Sequence, residues 1–207
     1  MKYASTDIET LGLDPVENDM IEFGAVLDDL QDQKPLEELP RFHAYILPPG
    51  IAKNYVCDPF AASMHSTILR RIATRETGYT YLRPEELGER FATFLQANGL
   101  GSIFDKTKPA LTCAGKNFAS FDLSFLKKVG FTERVRLAHR CFDPGSLYFR
   151  PGDVEIPNTK TCCERAGVKG DGGHTSIADA LVVVQLVRNA VNKFSLAAAA
   201  TAPGVSC

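Results

Sequence analysis

Residues 5–13 of the 207-residue chain read Ser-Thr-Asp-Ile-Glu-Thr-Leu-Gly-Leu, which places two acids, Asp7 and Glu9, two positions apart. The apolar run that begins at Tyr3 predicts a strand, so both side chains point to the same face with their backbones about 6.6 Å apart. Two carboxylates hold that spacing when they share a divalent cation, whose charge offsets their repulsion. A plain strand ending in an acidic turn at Gly12 fits equally well, so this stretch alone leaves both interpretations open.

Composition indicates an ordinary globular protein. Hydrophobic residues make up 44% and charged residues 23% of the chain, which suits one domain with a full core. No apolar run approaches the roughly 20 residues of a transmembrane helix, and the N-terminus carries Asp7 where a signal peptide needs its apolar stretch. The six cysteines include no C-x-x-C pair, which favours reduced thiols. We therefore expect a cytoplasmic protein without a membrane partner.

The formal net charge is −2. This argues against a protein that grips long duplex nucleic acid through many phosphates. It does not exclude an enzyme that acts on a strand end, where few phosphates are touched.

Hydrophobic patterning predicts a meander followed by alternating elements. The meander consists of three antiparallel strands, Lys2–Ile8, Met20–Leu27 and Arg41–Leu47. The later strands are Ala110–Ala114 and Arg140–Phe142, and the helices are Pro59–Ala73, Pro84–Ala97, Phe121–Val129, Thr159–Ala166 and Ser176–Val191. This order predicts an α/β fold, with a mixed sheet of five or six strands and helices on both faces. We expect one domain over residues 1–196 and a flexible tail over residues 197–207.

Two further acids occur in recognisable surroundings. Asp122 lies ahead of x-x-F-L in the stretch 115–126, and Asp179 follows His174 in the pattern H-x-x-x-x-D-A. Together with D-x-E-T from Asp7, these motifs resemble, in order, the DnaQ-like 3′–5′ exonucleases of the DEDD type with a histidine (DEDDh). That family includes polymerase proofreading subunits, oligoribonuclease and ribonuclease T. The motifs span nearly the whole chain.

The resemblance implies a ribonuclease-H-like fold and a catalytic centre with two divalent ions, Mg²⁺ or Mn²⁺. The metal ligands that it implies are Asp7, Glu9, Asp122 and Asp179. His174 stands where the family has its general base, and a neutral imidazole can accept the proton of a water at working pH. Oxygen-only ligands select hard cations such as Mg²⁺ and Mn²⁺ over zinc.

The resemblance also implies a site for the terminal nucleotide. Thr10 and Leu13 match positions that hold this nucleotide, with Leu13 wedged against its base. Asn117 and Phe121 match further substrate positions, although the offset of the asparagine from the motif aspartate varies within the family. The other histidines are interpreted as structural or surface residues, with His65 a minor candidate for substrate contact.

The implied function is removal of nucleoside 5′-monophosphates from the 3′ end of single-stranded DNA or RNA. One alternative is an oligoribonuclease-like enzyme on very short oligonucleotides. Another is a non-catalytic nucleic-acid-binding or polymerase-binding module, which has no need of four acids and a histidine. A polymerase or a second copy of the chain stays open as a partner.

Local structure offers simpler roles for two of the acids. Ser176-x-x-Asp179 fits a capping box, and Asp122 at a helix start is a favourable partner of the helix dipole. Both roles are compatible with metal binding. Residues 167–173 contain four glycines, so we expect the segment before His174 to be mobile.

Overall fold

The computed structural model describes residues 1–49, 55–170 and 175–201. Within them, six strands form one sheet: β1 (Lys2–Thr10), β2 (Met20–Asp29), β3 (Arg41–Ile46), β4 (Tyr81–Leu82), β5 (Leu111–Ala114) and β6 (Leu137–Phe142). Their order across the sheet is β4-β3-β2-β1-β5-β6. β1, β2 and β3 are antiparallel, whereas β4 pairs parallel with β3, β5 with β1, and β6 with β5. The predicted mixed sheet is confirmed, with six strands.

The α-helices of the described residues are α1 (Pro59–Met64), α2 (Ser66–Thr74), α3 (Leu87–Ala97), α4 (Asp122–Lys128), α5 (Pro144–Leu147), α6 (Thr159–Ala166) and α7 (Ser176–Thr201). None of these combines the length and the apolar character that crossing a bilayer requires. The cysteines in this part of the chain, at 57, 113, 141, 162 and 163, are free thiols.

Strand alternation sends the side chains of the sheet to two separate cores. Ala4 and Ile8 of β1 pack on one face with Phe91 of α3 and Phe125 of α4. Tyr3, from the same strand, packs on the other face against α7. Helices therefore cover both faces, as expected for the ribonuclease-H-like fold.

Several elements differ from the sequence-based expectation, among them α5, which no pattern predicted, and β6, which begins at Leu137. The single helix predicted over 59–73 is two helices, because the backbone at His65 (φ −96°, ψ 20°) leaves the helical region. β4 has only two residues, too few for an alternation pattern to reveal. α7 continues to Thr201, past the predicted end at Val191, because the alanines at 197–200 are strong helix formers. It thereby crosses the proposed tail boundary, and residues 202–207 lie outside the described chain.

Candidate metal centre

The first two acids of the centre stand on β1. Ser5, Asp7 and Glu9 alternate onto the face of the sheet that α7 covers. The Ser5 hydroxyl donates a hydrogen bond of 2.8 Å to the carbonyl oxygen of Ala180, which ties β1 to the start of α7. The strand thus presents both carboxylates to the first turns of that helix.

The third acid, Asp179, comes from α7. One carboxylate oxygen from each of Asp7, Glu9 and Asp179 lies within 4.8 Å of the other two. The Thr175 hydroxyl accepts the N–H of Ala178 at 3.4 Å, so Thr175, and not Ser176, occupies the capping position. The capping-box interpretation of Asp179 is therefore wrong, and its carboxylate lies with those of β1.

The fourth acid, Asp122, begins α4 and is only 4% exposed. The chain reaches it by a tight turn after β5, where a Cβ on Gly115 would lie 2.9 Å from the carbonyl oxygen of Thr6. Asn117 in this turn adopts φ 59°, a region that asparagine tolerates better than most residues. Asp122 is not one of the three acids that converge within 4.8 Å. Its charge nevertheless acts on Asp7, and it borders the cluster.

The carboxylates of the centre are held in an environment that disfavours their charged forms. Burial, and then the charges of Asp122 and Glu9, raise the pKa of Asp7 well above its usual range. Burial, with the charge of Glu22 next, raises the pKa of Glu9 to about 8. Burial raises the pKa of Asp122 to about 7. Buried carboxylates that repel one another fit a divalent cation, and an all-oxygen donor set suits Mg²⁺ or Mn²⁺.

Two buried residues near the centre, His65 and Glu22, were not among the site residues predicted from the sequence. His65 is buried, and its Nε2 lies 3.5 Å from Oε2 of Glu9. No spacing pattern points to it, because its direction depends on the break between α1 and α2. Glu22 is 1% exposed and lies opposite Glu9 in the antiparallel register. An acid within the apolar run 20–27 was the available signal for it.

An open cleft of about 600 Å³ adjoins Glu9, a volume in the usual range of small-molecule sites. Three of the predicted substrate residues line it, namely Thr10, Leu13 and Phe121. The Leu13 side chain is 84% exposed in this cleft. Phe60, on the wall formed by α1, is 76% exposed. The Thr10 hydroxyl donates to the carbonyl oxygen of Gly12 at 2.8 Å.

Asn117, the fourth predicted substrate residue, is not among the residues that line this cleft. The Asn117 side chain accepts a hydrogen bond of 2.9 Å from Lys116 Nζ, and its backbone N–H donates to Asp143 Oδ2 at 2.9 Å. Asn117 therefore shapes the turn before α4. His174 lies outside the described residues, so its role as a general base stays a prediction.

No family model matches the sequence, and no curated protein is similar to it in sequence. Its structure, in contrast, is similar to those of solved nucleases. Exonuclease I of E. coli in complex with a dT13 oligonucleotide superposes with a TM-score of 0.62 at 14% identity, covering 94% of this chain and 43% of that chain. Exonuclease I from Methylocaldum szegediense gives 0.63 at 15% identity, covering 93% and 40%.

Cell-death related nuclease 4 (CRN-4) gives a TM-score of 0.65 at 15% identity, covering 93% of this chain and 64% of that chain. This chain spans less than half of either exonuclease I chain and less than two thirds of CRN-4. At these identities the likeness is one of fold. The fold is shared with these solved nucleases, and it is the kind of fold that the sequence resemblance implies.

Proposed function

We propose that this chain is a two-metal-ion 3′–5′ exonuclease that releases nucleoside 5′-monophosphates from the 3′ end of single-stranded nucleic acid. The convergence of Asp7, Glu9 and Asp179, with Glu9 also lining an open cleft, carries this proposal. Asp122 borders the same cluster and is buried. Acids with this burial and mutual repulsion have no structural use that apolar residues would not serve better.

The four acids are proposed to hold two divalent cations. When bound, such a pair supplies an activated water and neutralises the charge that develops on the scissile phosphate. The side chains of β1 and α7 fix the geometry of this donor set, because Ser5 and Ala180 hold the two elements together. His174 precedes α7 in sequence and is proposed to accept the proton of the attacking water, as a neutral imidazole can.

The cleft is proposed to receive the terminal nucleotide. Leu13 and Phe60 offer exposed apolar surface for contact with a base, and aromatic contact with bases is tolerant of sequence. A terminal nucleotide held in this cleft would lie beside Glu9, which favours attack at a strand end. The oligoribonuclease-like alternative uses the same residues and differs only in the length of the substrate.

The test uses 5′-labelled single strands of DNA and RNA of several lengths, with Mn²⁺ or with EDTA. We expect products shortened one nucleotide at a time from the 3′ end with Mn²⁺, and none with EDTA. Cleavage confined to the shortest RNA strands selects the oligoribonuclease-like alternative. Binding without cleavage selects the non-catalytic module, and cutting of a circular single strand contradicts an exonuclease.

A matched pair of variants distinguishes cleavage by this site from cleavage by a contaminating nuclease. Asp7→Asn removes one proposed ligand, whereas Asp32→Asn neutralises an exposed acid beyond the end of β2. The proposal expects loss of cleavage in the first variant and wild-type cleavage in the second. Equal activity in both would assign the cleavage to another protein.

A further inference from the structure

β2 packs against α7 through four residues on one face of the strand, at positions 22, 24, 26 and 28. This contact is called the seam. Alternation places these residues on the same face. Val26 packs in the middle of the seam against Ala180 and Val184. The six residue steps from 22 to 28 on the strand and the twelve steps from 176 to 188 on the helix each span roughly 18–20 Å. Strand and helix therefore stay in step along the whole seam.

A buried acid occupies each end of this seam. At the end far from the metal centre, Asp28 accepts hydrogen bonds from Arg188 at 2.5 and 3.0 Å and from the Tyr3 hydroxyl at 2.9 Å. At the near end stands Glu22. Its Oε2 accepts the backbone N–H of Ser176, the first residue of α7, at 3.1 Å.

The contacts of Glu22 distinguish it from the four acids of the centre. Its other oxygen, Oε1, lies 2.5 Å from Nε2 of His43 on β3. Both carboxylate oxygens are therefore engaged by the protein itself, and Glu22 is not part of the converging cluster. A buried carboxylate is costly unless donors surround it, and the N-terminal amides of a helix are such donors. Glu22 thus draws the start of α7 onto β2.

We propose that Glu22 is a positioning residue of the metal centre, which pins Ser176 on β2 and so keeps Asp179 beside Asp7 and Glu9. Asp179 follows Ser176 by three residues, within one helical turn, so a shift of Ser176 moves its carboxylate as well. The inference rests on the proposed function for the identity of the metal. It concerns the geometry of the site, and metal binding alone can test it.

Two substitutions separate position from charge. Glu22→Asp keeps the charge but withdraws the carboxylate by one methylene group, so it cannot span both His43 and Ser176. Glu22→Gln keeps the reach, accepts the same N–H through its amide oxygen, and can donate to a neutral His43. We expect Glu22→Asp to weaken Mn²⁺ binding about 10- to 100-fold, the usual cost of losing a group that orients metal ligands. Glu22→Gln should bind Mn²⁺ nearly as well as the wild type.

Asp28→Asn provides the control, because Asp28 joins the same strand to the same helix at the remote end of the seam. It should lower the melting temperature without weakening Mn²⁺ binding. Calorimetric titration with Mn²⁺ alone and thermal unfolding measure both effects, whether or not the wild type degrades nucleic acid. The proposal is overturned if Glu22→Asp binds Mn²⁺ like the wild type. It is also overturned if Glu22→Gln loses as much Mn²⁺ affinity as Glu22→Asp. A loss of Mn²⁺ affinity in Asp28→Asn as large as that in Glu22→Asp would overturn it as well.

Discussion

Gly24 of β2 lies directly beneath Ser176 of α7: a Cβ at position 24 would stand 2.5 Å from the Ser176 hydroxyl oxygen and 2.6 Å from its carbonyl carbon. Because Gly24 also pairs with Asp7 across the β1–β2 ladder, this close approach brings the start of the helix down to the acids. The clash includes backbone atoms, so no rotation of a side chain can relieve it.

Gly24→Ala should therefore lift the start of α7 from the sheet. We expect a loss of about 1–3 kcal/mol in the free energy of unfolding, as for other overpacked sites. Mn²⁺ affinity should fall about 10- to 100-fold, since Asp179 moves with the helix. Denaturant unfolding and Mn²⁺ titration measure the two effects. Unchanged Mn²⁺ affinity in a destabilised variant would show that α7 adjusts without moving Asp179.

Asp7→Asn should abolish cleavage while the metal-free protein becomes no less stable. The carboxylate of Asp7 is buried against Asp122 and Glu9, which raise its pKa, so a neutral amide removes repulsion. We expect turnover to fall by several orders of magnitude. Thermal unfolding in EDTA checks stability, and single-turnover cleavage checks activity. A variant that cleaves at the wild-type rate would exclude Asp7 from the reaction.

The stability of the metal-free protein should fall as pH rises. The pKa of Glu9 is raised to about 8 in the folded state, above its usual value when unfolded. A group with a raised folded pKa contributes its full stabilisation below the unfolded pKa and loses it as pH rises through the folded pKa. The free energy of unfolding in EDTA should thus decline between about pH 5 and pH 9. Glu9→Gln should flatten this decline, and an identical slope in that variant would contradict the assignment.

His174→Ala tests the base independently of the metal. General-base assistance is typically worth about 10²- to 10⁴-fold, so single-turnover rates should fall in that range. Mn²⁺ affinity should stay near that of the wild type, because the imidazole is not proposed as a ligand. His139→Ala, an exposed histidine on β6, is the control and should cleave normally. Loss of Mn²⁺ binding in His174→Ala would make His174 a ligand instead.

Leu13→Ala tests the cleft. If Leu13 packs against the terminal base, its truncation should raise KM about 5- to 30-fold, or about 1–2 kcal/mol, with kcat largely kept. Val16 is a fitting control, because it is 79% exposed on the same loop and is not among the residues that line the cleft. Steady-state kinetics on a short strand compares Leu13→Ala with Val16→Ala. Equal KM values would place the terminal nucleotide elsewhere.

Residue patterns predicted most of this architecture because its main elements are long and regular. The apolar runs of β1 and β2 and the short connection between them predicted the antiparallel pair. The acids predicted at the ends of elements, Asp7, Glu9 and Asp179, come together where α7 packs on the sheet. The role of Glu22 depends on register and on the arrival of a helix distant in sequence. The direction of His65 depends on a helix break. Neither follows from local spacing.

The centre draws its acids from β1, α4 and α7, which are far apart along the chain. A chain grows from its N-terminus, so Asp7 and Glu9 leave the ribosome first and Asp179 follows only with the last described helix. A partly synthesised chain, or a fragment cut before α7, has Asp7 and Glu9 without Asp179. Nascent and broken copies are therefore unable to assemble the proposed donor set, because it needs residues from both ends of the chain.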